Sequence, residues 1–238
     1  MDTLYIVMPA YNEEENIEAV IRAWYPCIAF ASDHSRLVVA DSGSSDQTHE
    51  ILSKLQTELP RLKVLSHTGK KHGPKVIALY NYALSQNADF VFQTDSDGQT
   101  NPAEFIGFWN DRNSYDAILG NRQIRGDGVS RAFVEKVVCL LLRIYFGVNV
   151  PDANAPFRLM RADTIKKYLS RLPEDYDLPN IMLTTYFSYY NEKITFKTIS
   201  FKPRQGGVNS INIPKIVKIG CKALGDFKAL KKSMEKMN

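Results

Sequence analysis

Three short apolar runs, Leu4–Met8, Leu37–Ala40 and Phe90–Gln93, each end in a polar loop and are each followed by a segment of helical periodicity. A run with no polar alternation is the pattern of a strand buried on both faces, which requires cover on both sides of a sheet. Strand, polar loop and helix repeated in that order predict an α/β fold, a mostly parallel central sheet flanked by helices. Ligands of such sheets bind beyond the C-terminal ends of the strands. The polar segments Pro9 to Glu13, Asp41 to Asp46 and Asp95 to Gln99 all hold that position, so they meet only if their strands lie side by side.

The remaining elements follow from spacing. Asn12 and Glu15 have the separation of a capping box, ahead of a helical stripe of Ile17, Val20, Ile21 and Trp24. A second helix carries Ile51, Leu52 and Leu55; Leu62–Leu65 reads as a third strand and Pro74–Ser85 as a helix. Asn101, Pro102 and Glu104 predict a capped helix start, with Phe105, Phe108 and Trp109 on its apolar side. The second half is less regular: a strand at Ala117–Gly120, a polar loop from Asn121 to Asp127, and a greasy helix from about Arg131 to Tyr145. A glycine turn and the stretch Asp152–Met160 follow, and helices over Thr164–Leu169 and Leu178–Tyr190 and a strand over Ile194–Phe201 complete the reading. No boundary separates two cores, so residues 1–212 are expected to form one domain with residues 213–238 as an appended helical tail.

Composition narrows the function. Three widely spaced cysteines, Cys27, Cys139 and Cys221, do not make a disulfide framework or a zinc site. The net charge of +4 resides in the tail, where seven lysines from Lys215 to Lys236 face only Asp226 and Glu235. A nucleic-acid-binding body would carry its basic surface elsewhere, and no nucleic-acid partner is expected. Strand periodicity begins at Leu4 without a basic leader, and the run Val137–Phe146 contains Arg143 and is too short to span a bilayer. The expected location is cytoplasmic. In the tail, Ile216, Ile219, Ala223, Phe227, Leu230 and Met234 follow near-helical spacing among lysines. Such a helix either lies on an anionic membrane surface, making the protein peripheral, or packs on the core with its lysines solvated.

The chemistry concentrates in carboxylates and cations. Asp95 and Asp97 are two apart, so in an extended segment they share a face and serve either one divalent cation or a solvated turn. Hard cations take oxygen ligands and leave positions for substrate phosphates. Asp41 follows a strand and reads either as a ligand contact or as a turn-forming Asp-Ser-Gly. Lys75, Arg122 and Arg125 have the charge to balance a diphosphate or to form surface ion pairs. Asp152, after Pro151, is a general base, an orienting group or a loop former. Arg204, in a segment that includes Gly206 and Gly207, suits a flexible strap over phosphates.

Taken together, Pro9-Ala10-Tyr11-Asn12-Glu13-Glu14, Asp41-Ser42-Gly43-Ser44-Ser45-Asp46 and the pair Asp95 and Asp97 resemble the family 2 glycosyltransferases of the GT-A fold. Asp152 with Phe157 and Arg158, and Arg204 with Asn209 and Ser210, resemble the polyprenyl-phosphate sugar synthase branch. The likeness spans about residues 4 to 211, with Ala40 and Ala155-Pro156 as departures. It implies an inverting transferase in which Pro9, Ala10, Tyr11, Glu13, Asp41, Lys75, Asp95 and Ser96 hold a GDP- or UDP-linked sugar. Asp95 and Asp97 then bind Mg²⁺ or Mn²⁺, and Asp97 and Asp152 are the catalytic residues. Arg122, Arg158, Arg204, Asn209 and Ser210 would meet the acceptor, either a polyprenyl phosphate or a saccharide hydroxyl in surface polysaccharide synthesis. A sugar nucleotidyltransferase is disfavoured because a Gly-rich loop does not follow the first strand. A non-catalytic, membrane-recruiting sugar-nucleotide binder is the alternative of another class.

Overall fold

The computed structural model describes residues 1–125, 129–203, 225–228, 230–232 and 234. Its elements are β1 (Leu4–Ala10), α1 (Ile17–Trp24), β2 (Arg36–Asp41), α2 (Thr48–Glu58), β3 (Leu62–Leu65), α3 (His72–Ser85), β4 (Phe90–Gln93) and α4 (Phe105–Asn110). They continue with β5 (Ala117–Arg125), α5 (Val129–Phe146), β6 (Arg158–Arg161), α6 (Ala162–Leu169), α7 (Pro179–Tyr189) and β7 (Ile194–Phe201). The sheet order is β3-β2-β1-β4-β6-β5-β7. β1 pairs in parallel with β2 on one side and β4 on the other, and among the described strands β6 alone runs antiparallel.

The unalternating apolar runs are explained by a core on each face. Tyr5 and Val7 of β1 pack with Val76 and Tyr80 of α3, while Leu4, Ile6 and Met8 pack with Ile17, Ile21 and Trp24 of α1. Phe157 closes the second core: its ring lies 4.7 Å from Phe92 and 4.8 Å from Phe108, both edge-on. Such aromatic pairs add to simple burial.

The structure departs from the sequence reading, or adds to it, at four places. Asn12 adopts a left-handed φ of 53° and does not cap α1, whose first residue is Ile17. Glu104 does not close a capping box; its carboxylate accepts from Ser200 N at 3.0 Å, tying α4's entry to β7. β5 continues through Arg125, because β7 pairs with it as far as Phe201 and turns the expected polar loop into strand. β6 forms across the end of the stretch Asp152–Met160, to which the sequence reading assigns no element, and runs on to Arg161. Its four residues, Arg-Leu-Met-Arg, are stabilised by pairing on both edges rather than by propensity.

Close packing fixes where α3 begins. A Cβ on Gly73 would stand 2.1 Å from Tyr176 O, whereas one on Gly107 in α4 meets nothing within 4 Å. Gly73→Ala is expected to cost about 1–3 kcal/mol through forced backbone displacement. Gly107→Ala is expected to be neutral or stabilising by up to about 1 kcal/mol. Urea denaturation of the two variants checks the contrast.

Candidate active site

The loops after β1 and β2 are laced into one surface. Asn12 N donates to Ser44 Oγ at 3.0 Å, and Ser45 N donates back to Asn12 Oδ1 at 2.8 Å. Glu13 N donates to Thr48 Oγ1 at 2.8 Å, and the buried Glu13 carboxylate accepts from Asn16 Nδ2 at 3.0 Å. Asn12 is thus a bridge between loops, and its left-handed backbone is what turns it there. Asp41 ends β2 opposite Ala10 in the parallel register. One of its oxygens accepts from Ser44 Oγ at 2.5 Å and the other lies 3.3 Å from His49 Nδ1. Pro9 and Ala10 are buried, while Tyr11 presents an exposed ring above them.

Lys75 comes up beneath this surface from α3. Its side chain is 1% exposed, its Nζ donates to Ala10 O at 2.5 Å, and it lies 5.1 Å from the centre of the Tyr11 ring. Burial pushes its pKa down to about 8, against the opposing pull of the Asp41 charge. A cation is therefore built into the floor of the cleft.

The third loop arrives from β4. Thr94 N donates to Val7 O at 3.1 Å, and the buried Ser96 Oγ donates to Pro9 O at 2.9 Å, so the residue between the two aspartates is pinned to the end of β1. β4 ends at Gln93, so Asp95 and Asp97 belong to a bend and not to an extended strand. The two-residue strand periodicity therefore does not govern them. Asp97 Oδ1 accepts from Gln99 N at 3.2 Å, and Gly98 makes the turn with φ 74°. Both aspartates are half-buried. Among the described residues no group of three or more His, Cys, Asp or Glu is placed to hold a metal. Carboxylate oxygens are donors of the kind that hard divalent cations take. The chain returns from β7 to the same loop, Lys202 N donating to Gln99 O at 2.9 Å and Gln99 Nε2 to Lys202 O at 2.7 Å. Arg204, Asn209 and Ser210 lie outside the described residues, as does the side chain of Arg125.

A second cluster is built on Arg122 of β5. Arg122 grips Asp152 with two parallel bonds, Nε to Oδ2 at 2.7 Å and Nη2 to Oδ1 at 2.8 Å, in a buried pair. Glu135 of α5 completes it, accepting from Arg122 Nη2 at 3.3 Å and from Ala153 N at 2.8 Å. Glu135 was not among the expected site residues. The signal was present, since an acid in a greasy helix that shares a face with Leu142 and Phe146 at seven- and eleven-residue spacing must find a buried partner. Arg158 departs from the expected phosphate contact. It is 0% exposed, and its guanidinium donates to Ala155 O, Asn180 O and Ala153 O. A guanidinium committed to main-chain carbonyls organises the 153–155 loop from inside.

Residues 5–169 match the profile of Glycosyl transferase family 2. The chain belongs to this family. It is 27% identical over 166 residues to an undecaprenyl-phosphate mannosyltransferase of Micrococcus luteus, covering 67% of each chain. An undecaprenyl-phosphate 4-deoxy-4-formamido-L-arabinose transferase of Photorhabdus laumondii is 24% identical over 69% of this chain, which spans 50% of that relative. The fold is shared with glucosyl-3-phosphoglycerate synthase from Mycobacterium tuberculosis, solved with Mn²⁺ and uridine-diphosphate-glucose. That likeness has a TM-score of 0.68 at 18% identity and covers 97% of this chain and 79% of that one. The protein is accordingly a family 2 glycosyltransferase of the GT-A fold.

The buried charges of this glycosyltransferase give two expectations. Asp152→Ala removes the nearer of the two carboxylates that hold Arg122, leaving Glu135, and should lower stability by about 1–3 kcal/mol. Glu135→Gln, which keeps the shape, should cost about 1–3 kcal/mol, both read by urea denaturation. Lys75 titrates near 8 folded and at the usual 10.5 unfolded, so in that window the unfolded chain binds the extra proton and stability rises with pH. Relative to Lys75→Met, the wild type should therefore gain stability between pH 8 and 10.5 and show a constant difference below it.

Proposed function

We propose that the enzyme transfers a sugar, with inversion, from a GDP- or UDP-linked donor to a polyprenyl phosphate at the cytoplasmic face of a membrane. The observation that carries this reading is the meeting of three loops, with Asp41, Lys75, Asp95 and Asp97, beyond the C-terminal ends of adjacent parallel strands. Nucleotides bind at that edge of doubly wound sheets. The names of the undecaprenyl-phosphate relatives and the donor bound by the structural neighbour support it. A divalent cation such as Mg²⁺ or Mn²⁺, held by Asp95 and Asp97, would neutralise the diphosphate as it departs.

In this reading the base and ribose lie against the β1 and β2 loops, beside Pro9, Ala10, Tyr11, Glu13 and Asp41. Lys75 holds the Ala10 carbonyl and keeps positive charge under the phosphates, and Ser96 fixes the loop that carries the aspartates. The acceptor oxygen forms a bond to the anomeric carbon from the far side while the bond to the diphosphate breaks, its electron pair leaving with the nucleoside diphosphate. The state of Asp152 favours a phosphate acceptor. Both its oxygens are engaged by Arg122, so removing a proton from a sugar hydroxyl would mean disrupting that pair. A phosphate monoester is already anionic and needs no base. Asp152 then positions Arg122 and the 153–155 loop.

The test supplies radiolabelled GDP- and UDP-sugars with either polyprenyl phosphate or an oligosaccharide. Label is expected to partition into the organic phase with the lipid acceptor alone, and label confined to water-soluble saccharide refutes the lipid acceptor. Asp97→Asn should reduce turnover by about 10²-fold or more with the fold intact by circular dichroism, and chelation should abolish transfer until Mn²⁺ or Mg²⁺ is returned.

A further inference from the structure

Of the tail that either lies on a membrane or packs on the core, the apolar residues that are described face inward. Phe227 and Met234 are buried and Leu230 packs against the core, with the Phe227 ring 5.6 Å from that of Phe146 in α5. Among the described helices, α5 leaves an apolar stripe in solvent. Phe133, Val137, Leu140 and Ile144 are exposed at 66, 38, 55 and 66%. Their spacings of four, three and four residues set them in one stripe, about 16 Å long at 1.5 Å per residue. Burying those residues inward is impossible, because Leu142 and Phe146 already fill the core side of the same helix.

We propose that this outer face of α5 is a docking surface for an anionic phospholipid bilayer. Charge selects lipid over a protein groove. Lys136 and Arg143 are exposed beside the stripe on one flank, and the acid of α5, Glu135, is turned inward to Arg122 and Ala153. An apolar stripe edged by cations is the composition of a helix lying in a membrane interface, with long basic side chains reaching up to the headgroups. The attraction to an anionic leaflet then adds to apolar insertion. Glu135, on the opposite face of the same helix, meets Arg122, so docking holds the Glu135, Arg122 and Asp152 cluster about one helix diameter from the bilayer. That consequence rests on the polyprenyl-phosphate reading, whereas the docking does not.

Flotation of the full chain with substrate-free phosphatidylcholine vesicles, with and without phosphatidylglycerol, tests the surface alone. The wild type is expected to float with the phosphatidylglycerol vesicles and to be released by salt. Leu140→Gln/Ile144→Gln and, separately, Lys136→Glu/Arg143→Glu should each weaken binding by about tenfold or more at an unchanged melting temperature. Failure of the wild type to bind, or equal binding by both variants, overturns the proposal. So does loss of binding on Lys231→Glu/Lys232→Glu alone, which would return the role to the tail. A wild-type dimer that becomes monomeric in Leu140→Gln/Ile144→Gln without vesicles assigns the stripe to a second copy instead. Transfer measured in detergent micelles with polyprenyl phosphate reports the acceptor separately, so either idea can fail without the other.

Discussion

The cleft depends on the parallel pairing of β1 with both β2 and β4. Pairing on two sides brings Ala10, Asp41 and the loop after Gln93 to one edge, and helices on opposite faces bury the strands that carry them. The edge is then locked by side chains that satisfy β1's final carbonyls, Lys75 on Ala10 and Ser96 on Pro9. A strand end whose carbonyls are bonded from beneath and from the side has little freedom, so the groups around it are held without a ligand.

Two buried cations do different work from the one in the cleft. Arg158 draws three main-chain carbonyls around itself, and Arg122 is held by Asp152 and Glu135 under the ring of Phe201, 5.2 Å away. Each is costly to bury and tolerable only because its donors are met. Together they shape the loop from Asp152 to Ala155, the part of the chain where regular structure gives way. That loop owes its form to charge pairing, whereas the loops after β1 and β2 are joined by hydrogen bonds between Asn12, Ser44 and Ser45.

The first half of the molecule was legible because its information is local. Leu62–Leu65 and Phe90–Gln93 occupy the bounds their apolar runs imply, and Ile17, Val20, Ile21 and Trp24 are buried as their spacing requires. The second half was less so. β6 is four residues with an arginine at each end and owes its strand character to neighbours more than thirty residues away in sequence. Asn12 shows the same limit at one residue: its spacing to Glu15 fits a cap, yet bonds to Ser44 and Ser45 give it another task.

From sequence alone came the α/β class, the three loops that meet at the sheet edge, the carboxylate pair and the family likeness, all properties of short segments. Tertiary structure alone decided that Asp152 is clasped by Arg122, that Arg158 faces main-chain carbonyls, and that Glu135 joins them. It also decided that α5 leaves Phe133, Leu140 and Ile144 in water. The physical reason is common to these cases. Periodicity says which side of an element is apolar, but the partner of a buried charge, and the cover over an apolar face, are set by whichever distant segment the fold brings alongside.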